Sequence, residues 1–381
     1  MKFKKWHIVG LVLIALLAIF IAVKQYLAGP SADTFTHYNN YVIFQQSAIH
    51  LFSGQNLYIH YPQEHFDLYK YTPTFSLAMA PFVILPNLAG LILWDLINVL
   101  VWALALYKLQ QQSNKLFIIG LFVGLLELYI TTLNSQSNAL ITGFLIFAWL
   151  NLEKGKFGMA AVFIWATVAI KLFGILFFAM FIFYPGWIKK GIWRTAAWGA
   201  IFIGLPAIFI GFKELLWQYQ NYFHLLATDH NKFVKYCFVG WVQSWFGLSL
   251  HKTYTVVFAL VLQLALGFTV YFSNTRQSRV LLVATWLIWM VIFNHMAESA
   301  TFIIAVTGVI IWWENSALRL NLRMAFLIPV ILFTCLGPSD IYPHAWREII
   351  VQDLQLKVFP CILIYAAIAV ELLLLKPVKI S

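Results

Sequence analysis

Charged residues are scarce in this chain, and the usual motifs of soluble enzymes are missing from it. Only 10% of the 381 residues are Asp, Glu, Lys or Arg, whereas 62% are hydrophobic. The three cysteines, Cys237, Cys335 and Cys361, have no close spacing, which argues against a disulfide framework or a metal cage. No Walker motif, Rossmann glycine fingerprint or Gly-x-Ser-x-Gly elbow is present. These absences argue against a soluble domain, a nucleotide-binding enzyme and an α/β-hydrolase.

Apolar runs recur along the whole chain, and they predict an all-α, polytopic integral membrane protein that forms one domain over residues 1–381. We expect about twelve transmembrane helices from these runs. Several runs are shorter than the roughly 20 residues that span a bilayer, which suggests a water-filled cavity or a thinned rim around a site. The expected crossings lie near residues 7–28, 88–108, 116–133, 139–152, 157–170, 172–185, 195–212, 253–273, 280–293, 300–313, 324–336 and 356–375.

One apolar segment, residues 72–85, is not expected to cross the membrane. A crossing there would place Lys108 and Lys115 outside, whereas short basic loops tend to be cytoplasmic. We therefore predict an interfacial helix against the outer leaflet, which ends at Pro86. The same rule places both chain termini in the cytoplasm. Three long loops then lie outside, at residues 29–87, 213–252 and 337–355.

The net charge of +11 comes from basic residues dispersed among short loops. Such residues orient helices and contact membrane lipids, so they do not indicate nucleic-acid binding. Polar clusters fall instead on the predicted outer side, at the turn 134–138, at Lys171 and at the turn 294–299. A single lysine in the centre of an apolar stretch is a candidate functional residue, although it could also extend toward lipid phosphates.

The first outer loop has the most distinctive pattern. An acidic residue, Asp33, follows the first apolar run, and an amphipathic segment, a Gly-x-Asn-Leu-Tyr turn at 54–58 and a Tyr-x-Pro step at 71–73 come after it. This order resembles the first loop of glycosyltransferase family 87, membrane enzymes of the GT-C superfamily. One departure is Thr34, because an aromatic residue more commonly follows the acid. The likeness continues at Pro81, 85–86, Trp94, Asn98, Gln136, Asn138, Lys171, 243–244 and 294–299.

The resemblance implies a GT-C fold with interfacial helices in the first outer loop, and a metal-independent hexosyltransferase without a cofactor. Such an enzyme moves a hexose, here expected to be mannose, from a polyprenyl-phosphate sugar to a lipid, glycan or polypeptide acceptor. The reaction takes place at the outer face of a bacterial plasma membrane. By this resemblance Asp33 is the catalytic base, and Lys171 stabilises the departing phosphate. Further candidate substrate-binding residues are Asn39, Asn40, Tyr58, Asp67, Tyr71, Gln136, Asn138, Gln243, His295 and Glu298.

Several of these residues have a structural alternative. Asp33 could cap a helix that starts near Thr36. Asp67 is an alternative base or acceptor clamp, but it could also be a solvated partner of Lys70.

Polar residues elsewhere in the chain also leave alternatives open. His295 and Glu298 are three residues apart, which would put them on one helical face, where they could bind sugar hydroxyls or bond each other. Glu64, His65 and Asp67 do not match a strong metal motif, and interfacial solvation is the better interpretation. For Asp95, Glu127 and Glu371, which lie in or near apolar runs, the default is hydrogen bonding between helices.

Two other functional classes remain open at this stage. A lipid or solute transporter or flippase would use Lys171 and Glu298 on an alternating-access path, but its polar residues should be symmetric about the membrane midplane. An envelope polysaccharide polymerase or ligase would be expected to carry a late, arginine-rich outer loop. In this chain the polar clusters are one-sided, and Arg347 is the single arginine predicted to lie outside.

Overall fold

The computed structural model describes residues 4–30, 35–110, 115–229, 235–339 and 341–375. These residues form α-helices joined by short 3₁₀ and π segments, and their β pairing is an isolated antiparallel bridge between Pro30 and Thr36. The α-helices are α1 (Lys5–Leu27), α2 (Asn39–Phe52), α3 (Pro73–Ala78), α4 (Ala80–Val83), α5 (Asn87–Leu109), α6 (Lys115–Leu133), α7 (Asn138–Leu152), α8 (Phe157–Ile170), α9 (Ile192–Gly204), α10 (Ala207–Ile210), α11 (Phe212–Thr228), α12 (Phe238–Phe246), α13 (Lys252–Ser273), α14 (Arg276–Ile292), α15 (Phe302–Asn315), α16 (Leu320–Pro329), α17 (His344–Arg347) and α18 (Phe359–Leu374).

Five helical segments in the described part of the chain are long and apolar enough to cross a membrane. They are Lys5–Leu27, Asn87–Leu109, Leu116–Leu133, Trp187–Ile210 and Lys252–Ser273. Shorter apolar helices include Asn138–Leu152, Phe157–Ile170, Leu172–Phe183, Ser299–Asn315, Leu320–Cys335 and Phe359–Leu374. The chain is therefore an all-α protein with multiple membrane-type helices, and the total of about twelve crossings stays a prediction.

Helices occur at each of the expected crossings, although some are irregular. The segment expected at 172–185 is a 3₁₀ helix, Leu172–Phe183, and the one expected at 195–212 begins earlier, with a π turn at Trp187–Gly191. The apolar segment 72–85 forms the short helices α3 and α4 and ends before Pro86. Helix α5 begins directly after this proline, at Asn87. The interfacial position of the segment 72–85 stays a prediction.

The chain divides into two compact units, the first of which comprises Met1–Ala105 and Thr131–His230. Within it, α8 packs against α7 and α9, and the helices of the first loop, α2 and α3, pack on one another. The helix α2 ends at a glycine turn: Gly54 has a positive φ of 66°, and the Gln55 N–H donates to the His50 carbonyl at 2.9 Å. Helix α3 also contacts α8, which brings the first loop to the end of that helix.

The second unit comprises Leu106–Ile130 and Asn231–Ser381. Its core is a bundle in which α14 packs against α13, α15 and α18. The side chains of Lys357 and Glu127 form a fully buried ion pair, with a 2.7 Å N–O distance, and the Lys357 ammonium also lies over the ring of Phe302. Glu371 accepts hydrogen bonds from the Trp312 indole and the Ser316 hydroxyl. Glu371 thus makes the polar contact between helices that the sequence predicted, whereas the partner of Glu127 lies in the turn before α18.

Candidate active site

A break between two apolar helices positions Lys171. Helix α8 ends at Ile170, Lys171 is extended with φ −137° and ψ 125°, and the following 3₁₀ helix starts at Leu172. This second helix folds back closely, because a Cβ at Gly174 would lie 2.5 Å from the Thr167 methyl group. The predicted interruption of the apolar helix at Lys171 is therefore confirmed.

Lys171 belongs to a chain of side-chain hydrogen bonds. Its ammonium donates to Oδ1 of Asn138 at 2.8 Å, and Nδ2 of Asn138 donates to Oε1 of Gln136 at 2.7 Å. Asn138 is fully buried and Gln136 is nearly so. Three residues that the sequence predicted as substrate-binding, two from the turn 134–138 and one from the end of α8, thus meet at one place. The asparagine is fixed on both sides, so it can hold the lysine charge in one position.

The first loop is attached beside this lysine. The Ala169 carbonyl has no helical partner where α8 ends, and it accepts from both the N–H and the hydroxyl of Thr72, the hydroxyl at 2.7 Å. The Thr72 oxygen also caps α3, because it accepts from the Phe75 N–H. One buried threonine therefore fixes the Tyr-x-Pro step of the first loop two residues from Lys171.

A cluster of tyrosines supports this attachment. Tyr58 donates to the Tyr71 carbonyl at 3.0 Å, and Tyr69 donates to the Thr72 carbonyl at 2.8 Å. The Tyr71 ring packs edge-on against Phe44, with 4.9 Å between the ring centroids. Burial raises the pKa of both Tyr58 and Tyr69 well above its ordinary value, so these phenols stay protonated and act as hydrogen-bond donors. In this structure Tyr58 and Tyr71 shape the first loop.

Asn39, Asn40 and Asp67 likewise contact the protein backbone. Asn39 accepts from the Phe66 N–H at 3.0 Å, and Asn40 donates to the Asn134 carbonyl at 2.8 Å. Asp67 accepts from the Leu68 N–H at 2.7 Å and lies 3.6 Å from the Lys70 ammonium.

Lys70 has a second acidic partner in Asp229, at 3.0 Å. Burial opposes the charge of Lys70, but the two carboxylates together raise its pKa. These contacts favour the interpretation of Asp67 as a half-exposed partner of Lys70.

The predicted base, Asp33, lies outside the described residues. The helix that it was expected to cap does not start near Thr36. It begins at Asn39, and its N-cap is Tyr38, which makes no side-chain capping bond. This expectation was wrong because Pro30 and Thr36 pair in the antiparallel bridge, which keeps Thr36 out of the helix.

The remaining predicted residues, Gln243, His295 and Glu298, belong to the second unit. Gln243 is exposed on α12. His295 lies in a turn, and Glu298 is the N-cap of the 3₁₀ turn Ser299–Thr301, with its own N–H bonded to the Thr301 hydroxyl at 3.3 Å. The expectation that His295 and Glu298 share a helical face is therefore wrong. The helix α14 stops at Ile292, before either residue.

Sequence reasoning missed a second group of buried polar residues in the first unit. Tyr41, Asp95, Ser135 and Ser137 are all buried, and each has a side-chain oxygen without a hydrogen-bond partner among the described residues. Trp94, the sequence neighbour of Asp95, contacts the turn that contains both serines, since its indole donates to the Ser135 carbonyl at 2.8 Å. An acidic residue inside an apolar helix was the available signal, but Asp95 had been assigned to ordinary contacts between helices.

Comparison with protein families decides the identity of the chain. The model of Glycosyltransferase family 87 matches residues 69–336, which is more than half of the chain. The chain belongs to glycosyltransferase family 87. It is accordingly a transferase that uses a sugar donor and an acceptor. A search of the curated proteins finds no match.

The matched region of the glycosyltransferase contains Thr72, the turn 134–138 and Lys171, and so includes the hydrogen-bonded group described above. It also contains Gln243, His295 and Glu298. It starts after Asp33, Asn39, Asn40, Tyr58 and Asp67, so the family match does not bear on these residues. Family membership favours the transferase prediction over the transport alternative.

Proposed function

We propose that this glycosyltransferase transfers a hexose, expected to be mannose, from a polyprenyl-phosphate sugar to an acceptor at the outer face of a bacterial plasma membrane. The observation that supports a phosphate-linked lipid donor is the position of Lys171. Its ammonium is held by Asn138 at 2.8 Å where two apolar helices meet. A cation fixed beside apolar helices matches a ligand that joins an anionic phosphate to a hydrocarbon chain.

The proposed reaction needs one base and one anion-binding group. The acceptor hydroxyl attacks C1 of the hexose and gives its proton to Asp33, while the bond between C1 and the phosphate oxygen breaks. The electron pair of that bond leaves with polyprenyl phosphate. Its developing charge lies next to the Lys171 ammonium, which stabilises the transition state. The transition state has oxocarbenium character, so positioning and charge stabilisation supply most of the rate.

The first loop is proposed to hold the acceptor near the donor. Thr72 attaches this loop at the end of α8, and Lys171 follows two residues after the Ala169 carbonyl to which Thr72 donates. The described part of the first loop and the lysine thus belong to one unit of the fold. Asp33 is preferred as the base over Asp67, because Asp67 is already bonded to Lys70 and Leu68.

A donor panel tests this proposal. Purified protein in liposomes is given polyprenyl-phosphate mannose, polyprenyl-phosphate glucose and a nucleotide-activated hexose, each with a labelled sugar. Transfer of label from a polyprenyl-phosphate donor alone is the expected result, with mannose preferred. Transfer from the nucleotide sugar alone would contradict the lipid-linked donor.

Orientation is tested separately with a membrane-impermeant thiol reagent. A cysteine at Ser53, which is exposed after α2, should react from outside intact cells, and a cysteine at the exposed Gln277 should not. The native Cys237, Cys335 and Cys361 are buried, which keeps the background reaction low. Labelling of Gln277→Cys from outside would reverse the proposed sidedness.

A further inference from the structure

A tyrosine of the first-loop helix lies against a glycine of helix α5. Tyr41 is fully buried, and a Cβ built on Gly90 would lie 1.9 Å from its hydroxyl oxygen. Any residue larger than glycine at position 90 would therefore displace this hydroxyl. Glycine within an apolar helix costs stability, and at this position it makes room for the oxygen of one tyrosine.

The Tyr41 hydroxyl has no hydrogen-bond partner among the described residues. Asp95, about one and a half turns further along α5, is also buried and has an unpartnered carboxyl oxygen. The two groups are close enough to interact electrostatically: burial, Tyr38 and Asp95 raise the pKa of Tyr41 to about 12. The Tyr41 hydroxyl is therefore protonated and can donate a hydrogen bond.

Two more buried hydroxyls lie in the turn to which Asn40 and Trp94, the sequence neighbours of Tyr41 and Asp95, donate hydrogen bonds. The fully buried side chains of Ser135 and Ser137 make no hydrogen bond within the described part of the chain. Both lie in the turn 134–138, which Trp94, the neighbour of Asp95, holds through its bond to the Ser135 carbonyl. Gln136 and Asn138, between and after these serines, lead to Lys171. One short turn thus carries two serine hydroxyls and the residues that lead to the lysine.

Buried polar atoms without partners are expensive, so a group of them requires an explanation. Another tyrosine and carboxylate of the same unit show the usual arrangement, since Tyr184 donates to Glu153 at 2.6 Å. Tyr41 and Asp95 do not form such a bond. Their oxygens offer both donor and acceptor capacity to a third group. Aromatic rings lie beside them, since Phe82 packs 6.3 Å from Tyr41 and 6.0 Å from Trp94, the neighbour of Asp95. A neutral ring with several hydroxyls fits this chemistry.

We propose that Tyr41 and Asp95 bind hydroxyl groups of the donor hexose, with Ser135 and Ser137 completing the site. The inference rests on the proposed function, because it requires a donor whose phosphate lies at Lys171. The sugar and phosphate of such a donor are bonded directly, and the turn 134–138 carries Ser135 and Ser137 as well as Asn138, which binds Lys171. Lys171 then recognises the anion, and Tyr41 with Asp95 recognises the sugar.

Binding of two lipids to the full-length protein separates these roles. The probes are polyprenyl-phosphate mannose and polyprenyl phosphate, which differ by the hexose. Tyr41→Phe and Asp95→Asn should each weaken binding of the sugar lipid by about tenfold, and leave binding of polyprenyl phosphate unchanged. Lys171→Ala should weaken binding of both lipids alike. Because the Tyr41 hydroxyl has no partner to lose among the described residues, the melting temperature of Tyr41→Phe should stay level or rise.

Tyr184→Phe is the matched control. It removes a buried hydroxyl that has a partner, so it should lower the melting temperature and leave the preference between the two lipids intact. Gly90→Ala should displace the Tyr41 hydroxyl, weaken binding of the sugar lipid and lower the melting temperature. Adding Tyr41→Phe to Gly90→Ala should restore the melting temperature but not the binding.

The outcomes are distinguishable. If wild-type protein discriminates the two lipids and Tyr41→Phe and Asp95→Asn still do so, the hexose assignment is overturned while the proposed function stands. If the variants raise only the KM of a sugar acceptor, the donor assignment is overturned in favour of an acceptor site. If the wild type binds neither lipid, the proposed function and this inference both fall.

Discussion

The ammonium of Lys171 lies 2.8 Å from Oδ1 of Asn138, and Asn138 is held in turn by Gln136. A lysine in an apolar region is costly unless its charge is compensated by nearby groups or used to bind an anion. Here the amide oxygen of Asn138 fixes the ammonium in one position. We propose that this positive charge binds the phosphate of the donor.

Removal of this charge should affect binding and turnover together. Lys171→Ala is expected to raise the Kd for polyprenyl-phosphate mannose and to lower kcat, because the ammonium serves both the bound donor and the departing phosphate. Lys171→Arg should recover part of the activity, since it keeps the charge but changes the shape. Asn138→Leu should resemble a weaker form of Lys171→Ala. A normal kcat in Lys171→Ala would exclude the proposed role.

The base can be assigned by comparing two acids. Asp33→Asn keeps the size of the side chain but cannot accept a full proton, so turnover should fall by about 10²-fold or more while donor binding stays nearly intact. Asp67→Asn is the control. It should leave turnover nearly unchanged and lower stability little, because an exposed ion pair such as Asp67 and Lys70 contributes at most about 1 kcal/mol. The reverse pattern, measured as kcat at saturating donor, would move the base to Asp67.

Attachment of the first loop should depend on one hydroxyl. Thr72→Val preserves shape but removes the hydroxyl that donates to the Ala169 carbonyl and caps α3. This loss should destabilise the loop by about 1–2 kcal/mol. Thr72→Ser should retain both bonds. Hydrogen exchange of residues 69–76 should therefore quicken in the valine variant only, with a parallel loss of turnover. Equal exchange in the two variants would show that the hydroxyl does not hold the loop.

The stability of the first loop should fall in acid. Burial lowers the pKa of His50 below its ordinary 6.5 and outweighs the opposing effect of Glu64, which lies 2.9 Å away. The unfolded chain then binds more protons than the folded one, so the stabilisation is present above about pH 6.5 and is lost as the pH falls below it. Burial lowers the pKa of His65 in the same direction.

Thermal unfolding between pH 8 and pH 5 checks this sign. The melting temperature should decline below about pH 6.5, and His50→Gln should reduce the slope, because a neutral amide does not titrate. A melting temperature that rises on acidification would mean that the ion pair with Glu64 dominates over burial.

Removing one partner of the buried ion pair of Glu127 and Lys357 should destabilise the second unit more than replacing both. Lys357→Met leaves a buried carboxylate without its partner and should destabilise the protein by about 3–5 kcal/mol. The double variant Glu127→Leu/Lys357→Met should recover most of that loss, because an apolar pair avoids the desolvation of both charges. Thermal melting in detergent measures both variants, and a double variant no more stable than Lys357→Met would contradict the assignment.

Much of the helical framework could be predicted from sequence, because apolar runs and the residues that end them are local signals. The break at Lys171 followed from a charge inside an apolar stretch, and the end of the helical segment 72–85 before Pro86 followed from the proline itself. The start of α2 was missed, since the bridge between Pro30 and Thr36 is a tertiary contact that overrides local capping preference.

The partners of buried polar residues were not predictable in the same way. Glu127 and Lys357 are separated by 230 positions, and only folding brings them together. Tyr41 looks like an ordinary core residue of an amphipathic helix. Its proposed role depends on the missing side chain at Gly90 and on one carboxyl oxygen of Asp95 that has no partner among the described residues, neither of which a sequence pattern encodes.

The central claim is that this protein breaks the bond between a hexose and a polyprenyl phosphate. The most direct test supplies purified protein in liposomes with a donor labelled with ³H in the hexose and ¹⁴C in the prenyl chain. The account predicts that the labels separate in equal amounts, ³H in the glycosylated acceptor and ¹⁴C in free polyprenyl phosphate, and that separation is lost in Lys171→Ala. If both labels stay on one molecule that has only changed leaflet, the protein moves the lipid, and the account is contradicted.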